Sequence, residues 1–138
     1  MTSQDRLLKG MHITVWMVQL LLAATLVWAG VMKLTEPIRT LAAMWPWAGQ
    51  VPDALVRFTG LVDLLGATGL LLPALLRIQP RLTPIAAIGI VLLMVIASVF
   101  HIARGETTSI GFNIVVALLA TFVAWGRLKK VPIISRRA

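Results

Sequence analysis

Four long apolar runs divide the chain, each bounded by basic residues, prolines or small polar clusters. The first, Ile13 to Met32, is 20 residues long, enough at ~1.5 Å per residue to cross the ~30 Å hydrocarbon core of a bilayer. It predicts a retained spanning helix. Arg6 and Lys9 precede it as they would a secretory leader, but the run is longer than a leader's apolar core, and no small-residue cleavage site follows before Lys33. The second run, Phe58 to Leu76, ends at Arg77, and Pro80 and Pro84 mark the break before the next helix. Pro73 falls inside it and predicts a kink. The third runs from Ile85 to Ile102. The fourth, Ile110 to Trp125, is 16 residues long and reaches spanning length when Thr107, Thr108 and Ser109 form its first turn. The expected spans are roughly 12–33, 56–77, 83–103 and 107–126.

The connection from Lys33 to Arg57 is of another kind. Thr35 and Glu36 stand before Pro37, which reads as a helix start, and Ile38 to Ala48 carries three apolar pairs and two tryptophans. This segment is either a short helix lying in the membrane interface, ended by Trp45, Pro46 and Trp47, or an apolar loop packed over the bundle. The fold class expected is therefore all-α: an integral membrane four-helix bundle in one domain spanning residues 1–138, with a short interfacial segment between the first two spans. Neither an internal repeat nor a low-complexity tract is evident.

Composition agrees with this class. Of 138 residues, 59% are hydrophobic and 13% charged, against about 45–50% and about 25% in soluble domains. The net charge of +8 raises nucleic acid as a partner, but the basic residues lie between apolar runs, with the densest group, Arg127, Lys129, Lys130, Arg136 and Arg137, behind the last of them. That is the distribution of a topology signal with anionic-lipid contact, not of a phosphate-backbone footprint. With four spans, nine Lys and Arg fall on the side of the termini and four (Lys33, Arg39, Arg57, Arg104) on the other, so the termini are expected to be cytoplasmic and the protein multi-pass in the plasma or inner membrane. Trp28, Trp45 and Trp47 then fall at the outer interface, Trp16 and Trp125 at the inner one. The absence of cysteine removes disulfides, thiol catalysis and iron–sulfur ligation.

Candidate chemistry lies in the outer half. An ionisable residue inside a span costs about 2.5–3.5 kcal/mol on insertion scales and persists where it faces a bundle interior. Asp63 is the clear case, set among Gly60, Gly66, Ala67 and Gly69, small residues that let a neighbouring backbone approach. Topology puts Lys33, Arg57, His101 and Asn113 at the same end of their helices, so all four spans offer a polar group at one depth. These five residues form either a ligand site or a structural ion pair, such as Asp63 with Lys33, that locks the helices. Gln19, in the other half, reads as an interhelical hydrogen-bonding residue. His12 and His101 stand about a bilayer apart, which argues against a bis-histidine haem within one chain. No metal-ligand cluster, phosphate-cradling loop or Ser/His/Asp spacing is present.

The run Trp28-Ala29-Gly30-Val31-Met32-Lys33-Leu34, the run Gly60-Leu61-Val62-Asp63-Leu64-Leu65-Gly66-Ala67-Thr68-Gly69-Leu70-Leu71-Leu72-Pro73 and the isolated His101 together resemble the DoxX family, from about His12 to Arg127. That family consists of four-helix membrane proteins, among them a subunit of a thiosulfate:quinone oxidoreductase, members of redox-stress complexes, and distant relatives resembling assembly factors. Its acid in the second span is usually Glu; Asp63 is one methylene shorter. The resemblance implies a membrane redox subunit with a quinone-like ligand held by Asp63, Lys33, His101, Arg57 and Asn113, no covalently bound cofactor, and a soluble redox partner or a homo-oligomer. The alternative is a non-enzymatic interaction or assembly factor with a purely structural polar cluster. Transport ranks lower, since neither repeats nor broken paired helices occur.

Overall fold

The structure is a computed structural model that describes residues 1–136; Arg137 of the basic tail lies outside the described residues. Four helical stretches are long and apolar enough to cross a membrane. α1 runs Ser3–Thr35, α3 Asp53–Leu76, α4 Leu82–Ala103 and α5 Ile110–Trp125. α5 is extended at its start by a 3₁₀ turn, Thr107–Ser109, and at its end by a π-helical turn, Gly126–Lys130. The short helix α2, Ile38–Met44, and a 3₁₀ turn, Pro46–Gly49, fill the connection between α1 and α3. No strand occurs among the described residues, and the chain is an all-α membrane bundle.

Each helix boundary has a local cause. α1 begins nine residues before the expected span because Thr2 and Asp5 form a capping box. The Thr2 hydroxyl accepts the Asp5 N–H at 3.1 Å, and the Asp5 carboxylate accepts the Thr2 N–H at 2.9 Å. Its other end runs through Thr35, so Thr35 and Glu36 close α1 and do not open the next helix; Pro37 caps α2. α3 follows Pro52 and carries Asp53 in its first turn, where an acid complements the helix dipole. It ends at Arg77, which with Gln79 adopts a left-handed backbone (φ 56° and 48°), a conformation few non-glycine residues take. The last residues hold this turn: the Arg136 N–H donates to the Arg77 carbonyl at 2.7 Å, and Arg77 Nε donates to the Ile134 carbonyl at 2.9 Å.

Round the bundle the order is α1, α3, α4, α5, with α5 returning to α1. Successive spans run antiparallel, which places both termini at one end. The outward surface is apolar: Met17, Leu65, Ile96 and Leu118 are each about two-thirds exposed or more. The interior, by contrast, holds Gln19, Asp63, Thr83, His101, Asn113 and Arg127 beside its aliphatic core. A surface greasier than its interior marks a chain whose solvent is lipid.

α1 and α3 pack closely at Gly30 and Gly60. A Cβ on Gly60 would lie 2.9 Å from the Lys33 Cβ and 3.1 Å from the Gly30 carbonyl oxygen, inside van der Waals contact, so glycine is what lets these backbones touch. Pro73 lies inside α3 and offers no N–H to the Gly69 carbonyl one turn back. Side chains of neighbouring helices supply donors there instead: Thr83 of α4 bonds the Gly69 and Leu70 carbonyls, and Gln19 of α1 donates to that of Leu70.

α2 and the 3₁₀ turn combine the two readings open for their segment. The segment is helical, and it also packs over one end of the bundle, with Leu41, Ala48 and Val56 wholly buried in a small second core.

Candidate functional site

Under that cover the four helices part to leave a cavity of about 430 Å³, within the ~300–1,000 Å³ common for small-molecule sites. Asp63, Lys33, His101 and Asn113 all contribute to its wall, one from each spanning helix. The rest of the wall is mostly apolar and aromatic, including Trp28, Trp45, Trp47, Phe100 and Phe112.

Each polar group is held differently. Lys33, in the last turn of α1, donates from Nζ to Asp63 Oδ2 at 2.8 Å, and both side chains are largely buried. The same ammonium lies 5.6 and 5.8 Å from the ring centres of Trp45 and Trp47, close enough for a cation–π contribution from each. His101 sits in the last turn of α4. Its Nδ1 is 2.7 Å from Glu106 Oε2, and the other Glu106 oxygen accepts from Arg104 Nε at 3.0 Å. The hydrogen bond from His101 holds the Glu106 carboxyl below its ordinary range, with Arg104 acting in the same direction. Gly105, at φ 73°, makes the turn that returns Glu106 to the histidine, and the Glu106 N–H donates to the His101 carbonyl at 2.8 Å. Arg104 also donates to Gln50, tying this turn to the end of the α2 cover.

Asn113, on the first turn of α5, is the exception. It is 7% exposed, and its side-chain nitrogen has no hydrogen-bond partner. A buried amide left unpaired costs about 1–3 kcal/mol, and Asn113 is also one of the residues along the cavity wall.

The remaining candidate lies elsewhere. Arg57 does not line the cavity: its Nη1 donates to the carbonyls of Lys33 and Glu36, capping the C-terminal end of α1. Glu106 was not among the candidates; its only trace in the sequence is an acid in the turn directly after His101. The tryptophans were legible as an interfacial belt, but three of them also wall the cavity, and two of those flank Lys33.

A second polar network occupies the opposite end. Arg127, which the sequence places in the basic tail, is 3% exposed. Its Nε donates to Gln19 Oε1 at 3.1 Å, and its Nη1 donates to the Val131 carbonyl at 3.0 Å and faces His12 Nδ1 at 3.1 Å. Its guanidinium stacks 5.1 Å from the Trp16 ring centre.

Fold and site thus define a small multi-pass membrane protein with a polar-tipped, aromatic-walled chamber at one end. The chain belongs to the DoxX-like family, whose model matches residues 17–123, a stretch containing Lys33, Asp63, His101 and Asn113. No curated protein and no solved structure matches it.

Proposed function

We propose that this DoxX-like protein binds a flat, lipid-soluble, carbonyl-bearing molecule of the quinone type in the Asp63–Asn113 chamber, and that it serves as the membrane subunit of a redox system in the plasma or inner membrane. The observation that carries this reading is the unpartnered Asn113 amide on an aromatic-walled cavity. An amide N–H₂ matches a ring carbonyl oxygen, and flat aromatic walls match a conjugated ring. His101 and Glu106 extend from the wall to a partly exposed carboxylate, a pair suited to exchanging protons with the solvent when such a ring is reduced or oxidised. Electrons would come from a separate redox protein. The nine-to-four count of Lys and Arg supports a reading with the termini in the cytoplasm and the chamber in the outer half of the membrane.

The test is titration of the purified protein with a decyl-substituted benzoquinone, read by fluorescence of the cavity tryptophans. Saturable quenching is expected, with affinity about tenfold weaker in Asn113→Leu, the loss of one well-placed hydrogen bond. Quenching that never saturates, or that is unchanged in Asn113→Leu, refutes the site.

One observation favours a second reading, in which the protein is a non-enzymatic interaction or assembly factor. Lys33 and Asp63 close directly on one another, and Arg57 Nη1 is bonded to two backbone carbonyls, so part of the cluster is self-satisfied. On that reading quinone changes nothing, whereas Asp63→Asn lowers stability.

A further inference from the structure

At the end of the bundle that carries both termini, the α3–α4 turn, the π-helical turn after α5 and the last described residues enclose a cleft of about 830 Å³. Arg81, Arg127 and Arg136 contribute to its wall, and among the described residues no carboxylate does. Among the described residues none of these arginines forms an ion pair; the three salt bridges present all involve other cations. Arg127 is the telling member. It is almost wholly buried, its bonded partners are a neutral amide, an imidazole nitrogen and a carbonyl, and among the described residues its Nη2 has no partner. A buried guanidinium held only by neutral acceptors is an incomplete arrangement, because burying a charge is costly until an opposite charge meets it.

The shape of the cleft bears on what that counter-charge is. Apart from Gln79 and Ser135 its remaining wall is apolar, with Ile78, Leu128, Ile133 and Pro132 among the lining residues, and Ile78 and Leu128 are each more than half exposed. Arg127 lies within the last apolar stretch, Thr107–Lys130, near its end, where headgroup and acyl chain meet. Three guanidiniums suit the several acceptor oxygens of a phosphate group, and the apolar rim suits the chains that would accompany one.

We propose that this cleft binds a phosphate group, and that a membrane lipid with a net negative headgroup carries it, with the phosphate on Arg81, Arg127 and Arg136 and the acyl chains along Ile78 and Leu128. The site is separate from the Asp63 chamber and stands or falls independently of it.

The experiment is native mass spectrometry of the full chain released from neutral detergent containing phosphatidylglycerol, phosphatidylcholine or inorganic phosphate. It is run on the wild type and on two charge-matched double variants, Arg81→Gln/Arg136→Gln and Lys129→Gln/Lys130→Gln. Arg127 is left intact so that folding is preserved. The wild type is expected to retain phosphatidylglycerol over phosphatidylcholine by about tenfold or more. The arginine pair variant should lose most of that preference, at roughly 1 kcal/mol per basic contact. The lysine pair variant, which removes the same charge from outside the cleft, should keep it. Retention of inorganic phosphate, lost in the arginine variant and unimproved by phosphatidylglycerol, supports the anion site with a soluble source. No preference for either phosphate source, or an equal loss in both double variants, overturns the proposal.

Discussion

Replacing Asp63 by Asn removes the carboxylate 2.8 Å from the Lys33 ammonium while leaving the shape of the side chain nearly unchanged. Lys33 is then a largely buried cation with a weaker partner. Loss of one member of a buried pair costs about 3–5 kcal/mol. Two effects moderate it here: the oxygen of the substituted amide still accepts one hydrogen bond, and the Trp45 and Trp47 rings each keep a cation–π contribution of about 0.5–1 kcal/mol. The expected cost is therefore near the bottom of the range, about 3 kcal/mol, or a fall of about 10 °C in melting temperature for a chain of this size. A double-mutant cycle separates the pair from the rest. In a Lys33→Met background there is no ammonium to strand and the buried Asp63 carboxylate is itself without its partner, so Asp63→Asn should cost nothing or stabilise, giving a coupling of about 3 kcal/mol or more. Thermal unfolding in one neutral detergent, followed by helical circular dichroism, measures all four proteins. Equal losses in the two backgrounds would show that the ion pair contributes nothing to holding α1 on α3.

Three further outcomes are expected. Gly60→Ala puts a methyl 2.9 Å from the Lys33 Cβ and 3.1 Å from the Gly30 carbonyl, so it should lower stability by about 1–3 kcal/mol; a melting temperature within a degree of the wild type would contradict the close approach. Gln19→Leu strips a donor from the Leu70 carbonyl and an acceptor from buried Arg127. It should cost about 2–4 kcal/mol, whereas a loss no larger than that of an exposed position such as Met17→Leu would refute the network. Glu106 titrates below its ordinary value of 4.5, chiefly through the hydrogen bond from His101. Its contribution to stability is therefore complete above that value and falls away as pH drops through its folded-state value; Glu106→Gln should flatten this acid limb of the melting-temperature profile, and an unchanged limb would assign it to other carboxylates.

The parts of this molecule that could be read from the chain are those where the membrane leaves no choice. An apolar run of about 20 residues can only span, and an acid within it must face inward towards a partner, so Asp63, Lys33 and the bundle were all legible together. Arg57 and Arg127 were not, because an arginine next to an apolar run reads the same whether it snorkels, caps a helix or is buried. Arg57 turns onto the end of α1, while the π-helical turn carries Arg127 beneath Val131 and against Gln19. Asn113 was legible as a polar residue at the right depth, but that its nitrogen would stand unpaired depends on how α4 and α5 pack. For the α2 segment the two expectations were less exclusive than they looked, since a seven-residue helix is short enough to be both a helix and a cover.

The capping box at Thr2 has a practical consequence. It carries α1 out to 33 residues, about 50 Å against a hydrocarbon layer of about 30 Å, and residues 3–10 are exposed on every side. A 15.0 kDa membrane protein gives too little contrast for single-particle imaging by itself, but this stalk is a rigid handle. A soluble helical protein joined in frame to α1 would be held at a fixed distance and angle. Each residue added or removed at the junction would swing the partner by about 100°, which allows a set of fusions to sample orientations around the bundle without touching its interior.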